Sequence, residues 1–223
     1  MRLHRPGVRT RLRAGARRLR ETPHWLTLRR LGKTRPPEYR DYLATQLKRT
    51  LSKRETDPGA GAVRLIDEVT AAQPSGGSVL CVGCRNTLEL DRFRERGFAD
   101  VIGIDVFSQR EDILVMDMHD MSFPDDSFDV VYASHSLEHS YDVDRVAREV
   151  VRVARDSAVV GVEVPVRTKQ SAADRVVFSG LDEVRDVFRE HVREEVLGEE
   201  DAPHTETNEQ GTDVARLVFR LSK

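Results

Sequence analysis

Two stretches near the start of the chain repeat their apolar residues at the spacing of an α-helix. Tyr39, Tyr42, Leu43 and Leu47 form the first stretch, and residues 63–69 form the second. Apolar residues that recur every three or four positions indicate a helix with one buried face. The pattern therefore predicts two amphipathic helices in this part of the chain.

From residue 78 onward the pattern changes to short apolar runs separated by amphipathic segments. Such an alternation predicts an α/β fold, a three-layer α/β/α sandwich around a mainly parallel, seven-stranded sheet. The last two predicted strands have only a polar stretch between them, which favours a C-terminal antiparallel hairpin at the sheet edge. The predicted strands are Ser78–Val82, Val101–Asp105, Ile113–Met116, Phe128–Ala133, Ala158–Val164, Val192–Leu197 and Val214–Leu221. A predicted helix begins over Leu88–Phe93 and ends near Gly97, and two more are Val143–Val153 and Leu181–Glu190.

Charge divides the 223 residues into two unequal parts. Residues 1–35 hold twelve Arg and Lys against one acid, Glu21, so this arm carries +11. Since the whole chain carries −2, residues 36–223 carry −13. A pair of prolines interrupts the chain between the two parts. We therefore divide the sequence into a basic N-terminal arm, residues 1–37, and one domain, residues 38–223.

The basic arm has three interpretations. It is a solvated tail or intersubunit arm, a helix that contacts an anionic partner or a membrane surface, or a nucleic-acid contact. Its one aromatic residue, Trp25, gives no clear signature of base stacking. In every case we expect a chain that lacks residues 1–35 to fold.

The sequence has no run that approaches the roughly 18 apolar residues of a membrane span. Its basic start lacks the apolar core of a secretory signal. Its two cysteines, Cys81 and Cys84, are too few for a disulfide framework or a four-ligand zinc site. These features predict a cytoplasmic protein with two reduced thiols.

Candidate functional residues follow the first four predicted strands. Gly83 follows the first strand, and Asp105 follows the second. Asp117 and Met118 follow the third strand, and a polar segment, residues 134–139, follows the fourth. Open parallel sheets bind ligands at the carboxyl ends of their strands. A glycine there lets the backbone approach a ligand closely, and a carboxylate there can accept hydrogen bonds from both hydroxyls of a ribose.

Together these features resemble the class I S-adenosylmethionine (SAM)-dependent methyltransferases, in particular the large group with a small-molecule-type methyltransferase domain. The resemblance covers residues 60–165 with motifs and the remainder with topology. It implies a Rossmann-like fold whose parallel sheet is closed by one antiparallel strand. The motifs that carry it are Val79–Cys84, Gly103–Asp105, Asp117–Phe123, Phe123–Val131, Ser136–His139 and Glu149–Val153.

The resemblance implies SAM as the cofactor and a role for each matching residue. Gly83 would lie under the methionine part of SAM, and Asp105 would bind the ribose. Asp117 would accept a hydrogen bond from the adenine amino group, with the backbone of Met118 beside the ring.

Ser134 and His135 would face the sulfonium and the acceptor. His135 is the candidate catalytic residue, because an imidazole titrates near neutral pH and can act as a general base. Some methyltransferases of this fold bind a divalent metal with a Glu-x-x-Glu-His cluster at this place, where the present chain has His135, Glu138 and His139. Either these side chains hold an ion, or Glu138 and His139 bond to neighbouring loops. We expect the second arrangement and therefore no metal.

The chain departs from the family in its first motif. The family has an acid in place of Cys81 and further glycines in place of Arg85 and Thr87. Arg85 would then pair with the carboxylate of SAM, since a guanidinium binds a carboxylate in a bidentate fork. Glu89 would take the amino group of SAM. In the alternative interpretation, both are solvated residues at the start of a helix.

The predicted function is methyl transfer from SAM to a small-molecule acceptor. One alternative is a non-catalytic partner subunit with the same fold, suggested by the altered glycine loop and the basic arm. The other is a nicotinamide-dependent oxidoreductase, which shares the Gly-to-Asp spacing but would have G-x-G-x-x-G. Tyr39, Tyr42 and the segment Pro165–Ser179 are expected to set acceptor specificity. The pattern predicts neither the acceptor nor the oligomeric state.

Overall fold

The computed structural model describes five segments of the chain: residues 36–52, 57–74, 76–166, 174–201 and 213–223. The basic arm lies outside these residues, as does part of the segment Pro165–Ser179. The interpretations of the arm, and its separation from the domain, therefore stay predictions.

The described residues form five α-helices and seven strands. None of these helices combines the length and the apolar character needed to cross a membrane. The helices are α1 (Pro37–Ser52), α2 (Ala60–Ala72), α3 (Glu89–Glu95), α4 (Val143–Val153) and α5 (Leu181–Phe188). The strands are β1 (Ser78–Val82), β2 (Asp100–Asp105), β3 (Ile113–Val115), β4 (Phe128–Ser134), β5 (Ala154–Pro165), β6 (Val192–Asp201) and β7 (Val214–Leu221). Short 3-10 helices, Leu137–His139 and Arg189–His191, follow β4 and α5.

The strands form one sheet in the order β3-β2-β1-β4-β5-β7-β6. The pairings from β3 to β5 are parallel, and β7 runs antiparallel to both of its neighbours. The chain moves outward from β1 to β3 on one side and then continues through β4 and β5 on the other. The strand order therefore reverses beside β1, where the carboxyl ends of β1 and β4 border a crevice. The predicted mainly parallel sheet with a C-terminal hairpin is confirmed.

Apolar side chains cover both faces of the sheet. On one face, Val146 of α4 belongs to the same buried cluster as Val184 and Phe188 of α5. On the other face, Ile66 of α2 and Phe93 of α3 belong to a second buried cluster. Helices therefore lie on both sides of the sheet, which confirms the predicted three-layer sandwich.

Helix α1 lies over the carboxyl ends of the strands. Its residues Tyr39, Tyr42 and Leu43 form a small buried cluster with Val106 and Phe107, which directly follow β2. The apolar face that predicted this helix is therefore the face that covers the rim of the crevice.

Strands β5 and β6 are longer than the apolar runs that predicted them. β5 begins at residue 154 instead of 158, and β6 ends at residue 201 instead of 197. The added residues of β6 are held by pairing with β7, where Glu199 lies opposite Arg216. Pairing with β7 thus extends β6 into polar residues. The side-chain pattern alone does not predict such an extension.

Candidate active site

A cleft lies at the carboxyl ends of the parallel strands, beneath α1. Its empty volume is about 380 Å³, open solvent included, which is within the range of small-molecule sites. Side chains from α1, from the loops after β1, β2 and β3, and from the turn after β4 form its walls. The lining residues are Tyr42, Gln46, Gly83, Arg85, Ile104, Asp105, Val106, Met116, Met118, Ser136 and His139.

The loop after β1 brings the backbone close to the turn after β4. Gly83 has a φ of 73°, and its N–H donates to the carbonyl oxygen of Ile104 over 2.8 Å. A Cβ at this position would stand 2.4 Å from the Cβ of Ser136. Gly83 is therefore required both for the left-handed backbone and for the contact with Ser136.

Asp105 ends β2 with its carboxylate held by backbone donors. The N–H of Arg85 donates to its Oδ2 over 3.0 Å, and the N–H of Phe107 donates to its Oδ1 over 3.1 Å. Burial raises the pKa of this carboxyl, while these hydrogen bonds and the charge of Arg85 act in the opposite direction. Because Asp105 also lines the cleft, it is positioned to accept hydrogen bonds from a ligand.

Asp117, after β3, has both side-chain and backbone partners. The hydroxyl of Tyr39 in α1 donates to its Oδ2 over 2.5 Å, and the backbone N–H of His119 donates to its Oδ1 over 2.9 Å. Burial raises the pKa of Asp117, but the hydrogen bonds from His119 and Tyr39 outweigh it and hold the pKa below its ordinary value. The side chain of the next residue, Met118, lines the cleft.

The ring of His119 extends this network to the segment before α4. Its Nε2 accepts from the backbone N–H of Tyr141 over 3.0 Å, so the ring proton is on Nδ1, which lies 2.7 Å from Oδ1 of Asp117. The rings of Tyr39 and Tyr141 lie 5.1 Å apart. Asp117 therefore ties α1 to two loops at the edge of the cleft.

Ser134 and His135, at the end of β4, both contact the buried carboxylate of Glu163 in β5. The hydroxyl of Ser134 donates to Oε1 of Glu163 over 3.1 Å. Nε2 of His135 lies 3.2 Å from the same oxygen, and its Nδ1 lies 3.7 Å from Oε1 of Glu138. Partial burial lowers the pKa of His135, but the two carboxylates outweigh it and raise the pKa to about 10. With these neighbours the ring is a cation at neutral pH, so its role as a general base stays a prediction.

Glu163 is a buried acid that sequence reasoning did not single out. The Nε of Arg216 in β7 donates to its Oε2, and Nη1 of Arg216 donates to Glu199 over 3.0 Å. Glu163 and Arg216 lie directly opposite each other in the β5–β7 pairing. An acid inside the apolar run of β5 was the available signal, since a buried charge requires a partner.

Arg85 and Glu89, the candidate ligands of the amino-acid part of SAM, lie in different surroundings. Arg85 lines the cleft and adopts a φ of 50°, where the family has glycine. Glu89 is buried at the start of α3 and accepts a hydrogen bond from the hydroxyl of Tyr132 over 3.4 Å. Burial raises the pKa of Glu89 to about 7. The alternative of two solvated side chains therefore does not describe Glu89.

The structure thus brings Gly83, Arg85, Asp105 and Met118 together around the cleft. Asp117, Glu89, Ser134 and His135 do not line it. Four further aromatic or polar side chains line the cleft, and two of them, Tyr42 and Gln46, lie one turn apart on α1. Tyr42 had been assigned to acceptor specificity, and its spacing to Gln46 was the available signal. The other two are Ser136 and His139, which the sequence had placed in a family motif without a role in cofactor binding.

Comparison with known proteins defines the class of this domain. Residues 80–161 match a family model described as a methyltransferase domain. This segment runs from β1 into β5 and includes the loops that carry Gly83, Asp105 and Asp117. No curated protein sequence matches the chain.

Solved structures of methyltransferases share the fold. The 1,6-didemethyltoxoflavin-N1-methyltransferase of Burkholderia thailandensis, solved with 1,6-didemethyltoxoflavin and S-adenosylhomocysteine, has a TM-score of 0.61 at 14% identity, over 73% of this chain and 79% of that chain. The [4+2]-cyclase SpnF has a TM-score of 0.57 at 18% identity, over 83% and 94%. A methyltransferase in complex with the Trm112 activator of Haloferax volcanii has a TM-score of 0.53 at 19% identity, over 72% and 91%.

The family match, the sheet order and the cleft agree with one another. Residues 80–161 match a methyltransferase domain, and the described residues have the fold of the class I SAM-dependent methyltransferases. The fold predicted from the motifs is thereby confirmed, and the methyltransferase domain supports the predicted cofactor. The roles of individual residues remain predictions.

Proposed function

We propose that this protein transfers the methyl group of SAM to a small organic acceptor bound in the cleft. The observation that carries the proposal is the meeting of Gly83, Asp105 and Ser136 at the carboxyl ends of β1, β2 and β4. Gly83 lets the backbone approach a ligand, and Asp105 presents a carboxylate held by two backbone donors. The buried Oγ of Ser136 has no hydrogen-bond partner among the described residues, as expected of a group that bonds to a ligand.

These residues fit the three parts of the cofactor. Asp105 would accept hydrogen bonds from the two ribose hydroxyls. Met118 would pack beside adenine, with Asp117 behind it. Gly83 and the guanidinium of Arg85 would hold the amino-acid part, since Arg85 lines the same cleft.

The proposed acceptor is a small molecule because α1 covers the rim of the cleft. Tyr42 and Gln46 of α1 line it from above, which narrows the opening for a large substrate. The Burkholderia thailandensis methyltransferase, which has the same fold, was solved with the small molecule 1,6-didemethyltoxoflavin.

The chain's contribution to catalysis would be positioning more than proton transfer. When bound, SAM supplies a methyl group activated by its sulfonium. The walls of the cleft would hold the acceptor in line with that group, and such alignment accounts for a large part of the rate of a two-substrate reaction. The carboxylates of Glu138 and Glu163 hold the pKa of His135 above its ordinary value, which does not favour its predicted role as a general base.

Calorimetric titration with S-adenosylhomocysteine, SAM and NAD tests the proposed ligand class. We expect saturable binding of S-adenosylhomocysteine and SAM at one site per chain, and none of NAD. Binding of NAD alone would support the oxidoreductase and reject the proposal. Release of S-adenosylhomocysteine from SAM in the presence of a panel of small amines, phenols and carboxylates then tests transfer. Cofactor binding without transfer to any of them would favour the partner subunit.

A further inference from the structure

Three metal-binding side chains converge beside the cleft, on the wall formed after β4. Glu138 and His139 belong to the short 3-10 helix, and Asp174 comes from the segment before α5. One ligand atom of each lies within 4.8 Å of the other two, and this is the one group of its kind among the described residues. Nδ1 of His139 lies 3.0 Å from Oδ1 of Asp174, and its Nε2 lies 3.5 Å from Oε1 of Glu138.

Backbone hydrogen bonds place Asp174 next to the 3-10 helix. The N–H groups of Arg175 and Val176 both donate to the carbonyl oxygen of Glu138, over 2.8 and 3.0 Å. A residue 36 positions away in the sequence is thereby held beside Glu138. The group differs from the one considered from sequence, because Asp174 joins it and His135 does not.

One carboxylate oxygen of Glu138 lacks a hydrogen-bond partner among the described residues. This oxygen is Oε2, and the side chain that carries it is only 4% exposed. The neighbours of Oε1, the rings of His135 and His139, lie at 3.7 and 3.5 Å, beyond the distance of a good hydrogen bond. A buried carboxylate in this state is costly unless a cation or a donor completes it.

The spacing of the three side chains suits a small divalent ion. Two ligand atoms, each about 2.1 Å from an ion, lie about 3.0 to 3.4 Å apart at octahedral or tetrahedral angles. Nδ1 of His139 and Oδ1 of Asp174 already have this spacing. The ligand atom of Glu138 lies within 4.8 Å of the other two, so its closure onto the same ion requires a shift of up to about 1.8 Å. One imidazole and two carboxylates are a donor set that zinc and manganese accept.

Two arginines offer another way to balance these carboxylates. The charges of Glu138 and Asp174 both act on Arg49 of α1, and the charges of Arg49 and Arg85 act on His139. The guanidinium of Arg49 donates to Oε1 of Gln46 over 3.2 Å. The experiment must therefore distinguish neutralisation by an arginine, or by buried water, from binding of an ion.

We propose that Glu138, His139 and Asp174 bind one first-row divalent cation, of the class of Zn²⁺ or Mn²⁺, at the wall of the cleft. His139 lines the cleft, so an open coordination position of the ion would face it. Three protein ligands and one open position are the pattern of catalytic rather than structural metal sites. The site does not depend on the proposed methyl transfer, because none of its three side chains is assigned to the binding of SAM.

The test uses the full chain, stripped with a chelator and titrated separately with Zn²⁺ and with Mn²⁺ by calorimetry. We expect one tight site per chain. Glu138→Gln and Asp174→Asn should each weaken binding at least about tenfold, the effect that even outer-shell partners of a metal ligand have. Substitution by Co²⁺ should give the visible absorption of a nitrogen- and oxygen-ligated ion in the wild type only.

Glu194→Gln is the matched control, because Glu194 is an exposed acid on β6. It should bind the ion as the wild type does. Thermal melting without metal checks that each variant is folded. If Glu138→Gln does not fold, Asp174→Asn alone decides the question. The proposal is overturned if the wild type has no saturable site, or if both variants bind the ion as tightly as the wild type. Either result would favour neutralisation of the carboxylates by Arg49 or by buried water. Binding of S-adenosylhomocysteine, measured on the same samples, shows separately whether the proposed function fails.

Discussion

Asp105 and Asp117 occupy equivalent places at the ends of neighbouring strands, yet the structure surrounds them differently. Asp105 is held by the backbone N–H groups of Arg85 and Phe107 and lines the cleft. Asp117 is held by the hydroxyl of Tyr39 and by His119, and it lies behind the lining residue Met118. The partners of Asp105 come from the loops of the crevice, whereas Tyr39 comes from a covering helix.

The difference shows that two acids at equivalent positions after neighbouring strands can have different roles. Backbone donors fix the carboxylate of Asp105 and leave it lone pairs for a ligand. The hydroxyl and the imidazole at Asp117 use its charge to hold α1 in place. We therefore expect Asp105 to act mainly on ligand affinity and Asp117 mainly on stability.

The largest expected effect is that of Asp105→Ala on the affinity for S-adenosylhomocysteine. Two ribose hydroxyls would lose a charged acceptor, at about 1.5–3 kcal/mol each. The dissociation constant should therefore rise at least about 100-fold. The melting temperature without ligand should also fall, because the N–H groups of Arg85 and Phe107 lose their acceptor. Calorimetry measures the first effect and thermal melting the second.

Asp144→Ala is the control for Asp105→Ala, since Asp144 is an exposed acid in the first turn of α4. It should bind S-adenosylhomocysteine as the wild type does. If Asp105→Ala also binds S-adenosylhomocysteine normally, Asp105 does not bind the ribose. The proposed placement of the cofactor in the cleft is then wrong.

Glu89 extends the comparison to a carboxylate without backbone donors. Burial raises its pKa to about 7 from the ordinary 4.5. The folded state therefore binds this proton more tightly, so its contribution to stability is full below pH 4.5 and is lost as the pH rises to 7. The loss is about 3 kcal/mol for the whole window. Glu89→Gln should remove this slope from the pH dependence of urea unfolding, and an unchanged slope would show that Glu89 does not titrate there.

Asp117→Asn should lower the free energy of unfolding by about 1.5–3 kcal/mol, because the hydrogen bonds from Tyr39 and His119 lose their charged acceptor. Tyr39→Phe should reproduce part of this loss in urea unfolding, since it removes one of the same hydrogen bonds. Equal stability of Asp117→Asn and the wild type would contradict the role of Asp117 in holding α1.

The same variant tests the adenine role of Asp117. If its carboxylate also accepts from the adenine amino group, Asp117→Asn should reduce the preference for S-adenosylhomocysteine over its inosine analogue. An unchanged preference, together with the loss of stability, would leave Asp117 a purely structural residue.

The strands and helices were predictable wherever a local signal fixed their ends. The bounds of β1, α4 and β7 agree with the prediction, and α4 begins directly after Asp142, whose side chain accepts from the N–H of Arg145 as an N-cap. The ends of β5 and β6 were not predictable, because pairing with other strands sets them.

The candidate site likewise contains residues that the sequence predicts and contacts that it does not predict. Gly83 and Asp105 directly follow apolar strands, so the topology alone brings them to the crevice. Tyr39 reaches Asp117 across 78 positions, and Asp174 reaches His139 across 35. Contacts over such separations depend on how α1 and the segment before α5 pack. No local pattern in one sequence predicts this packing.

The smallest expected effect belongs to Arg85, whose backbone supports Asp105 and whose side chain lines the cleft. Arg85→Gly keeps the backbone donor and relieves a left-handed φ of 50°, a gain of about 1–2 kcal/mol. The greater freedom of glycine in the unfolded chain offsets about 0.5–1 kcal/mol of it. Stability should thus change by about 1 kcal/mol or less, whereas the affinity for S-adenosylhomocysteine should fall up to about fivefold as a partly exposed ion pair is lost. Methylthioadenosine, which lacks the amino-acid carboxylate, should bind both proteins equally. A hundredfold loss of affinity for both ligands would mean instead that the loop had moved away from Asp105. The position of the Arg85 backbone would then depend on the Arg85 side chain.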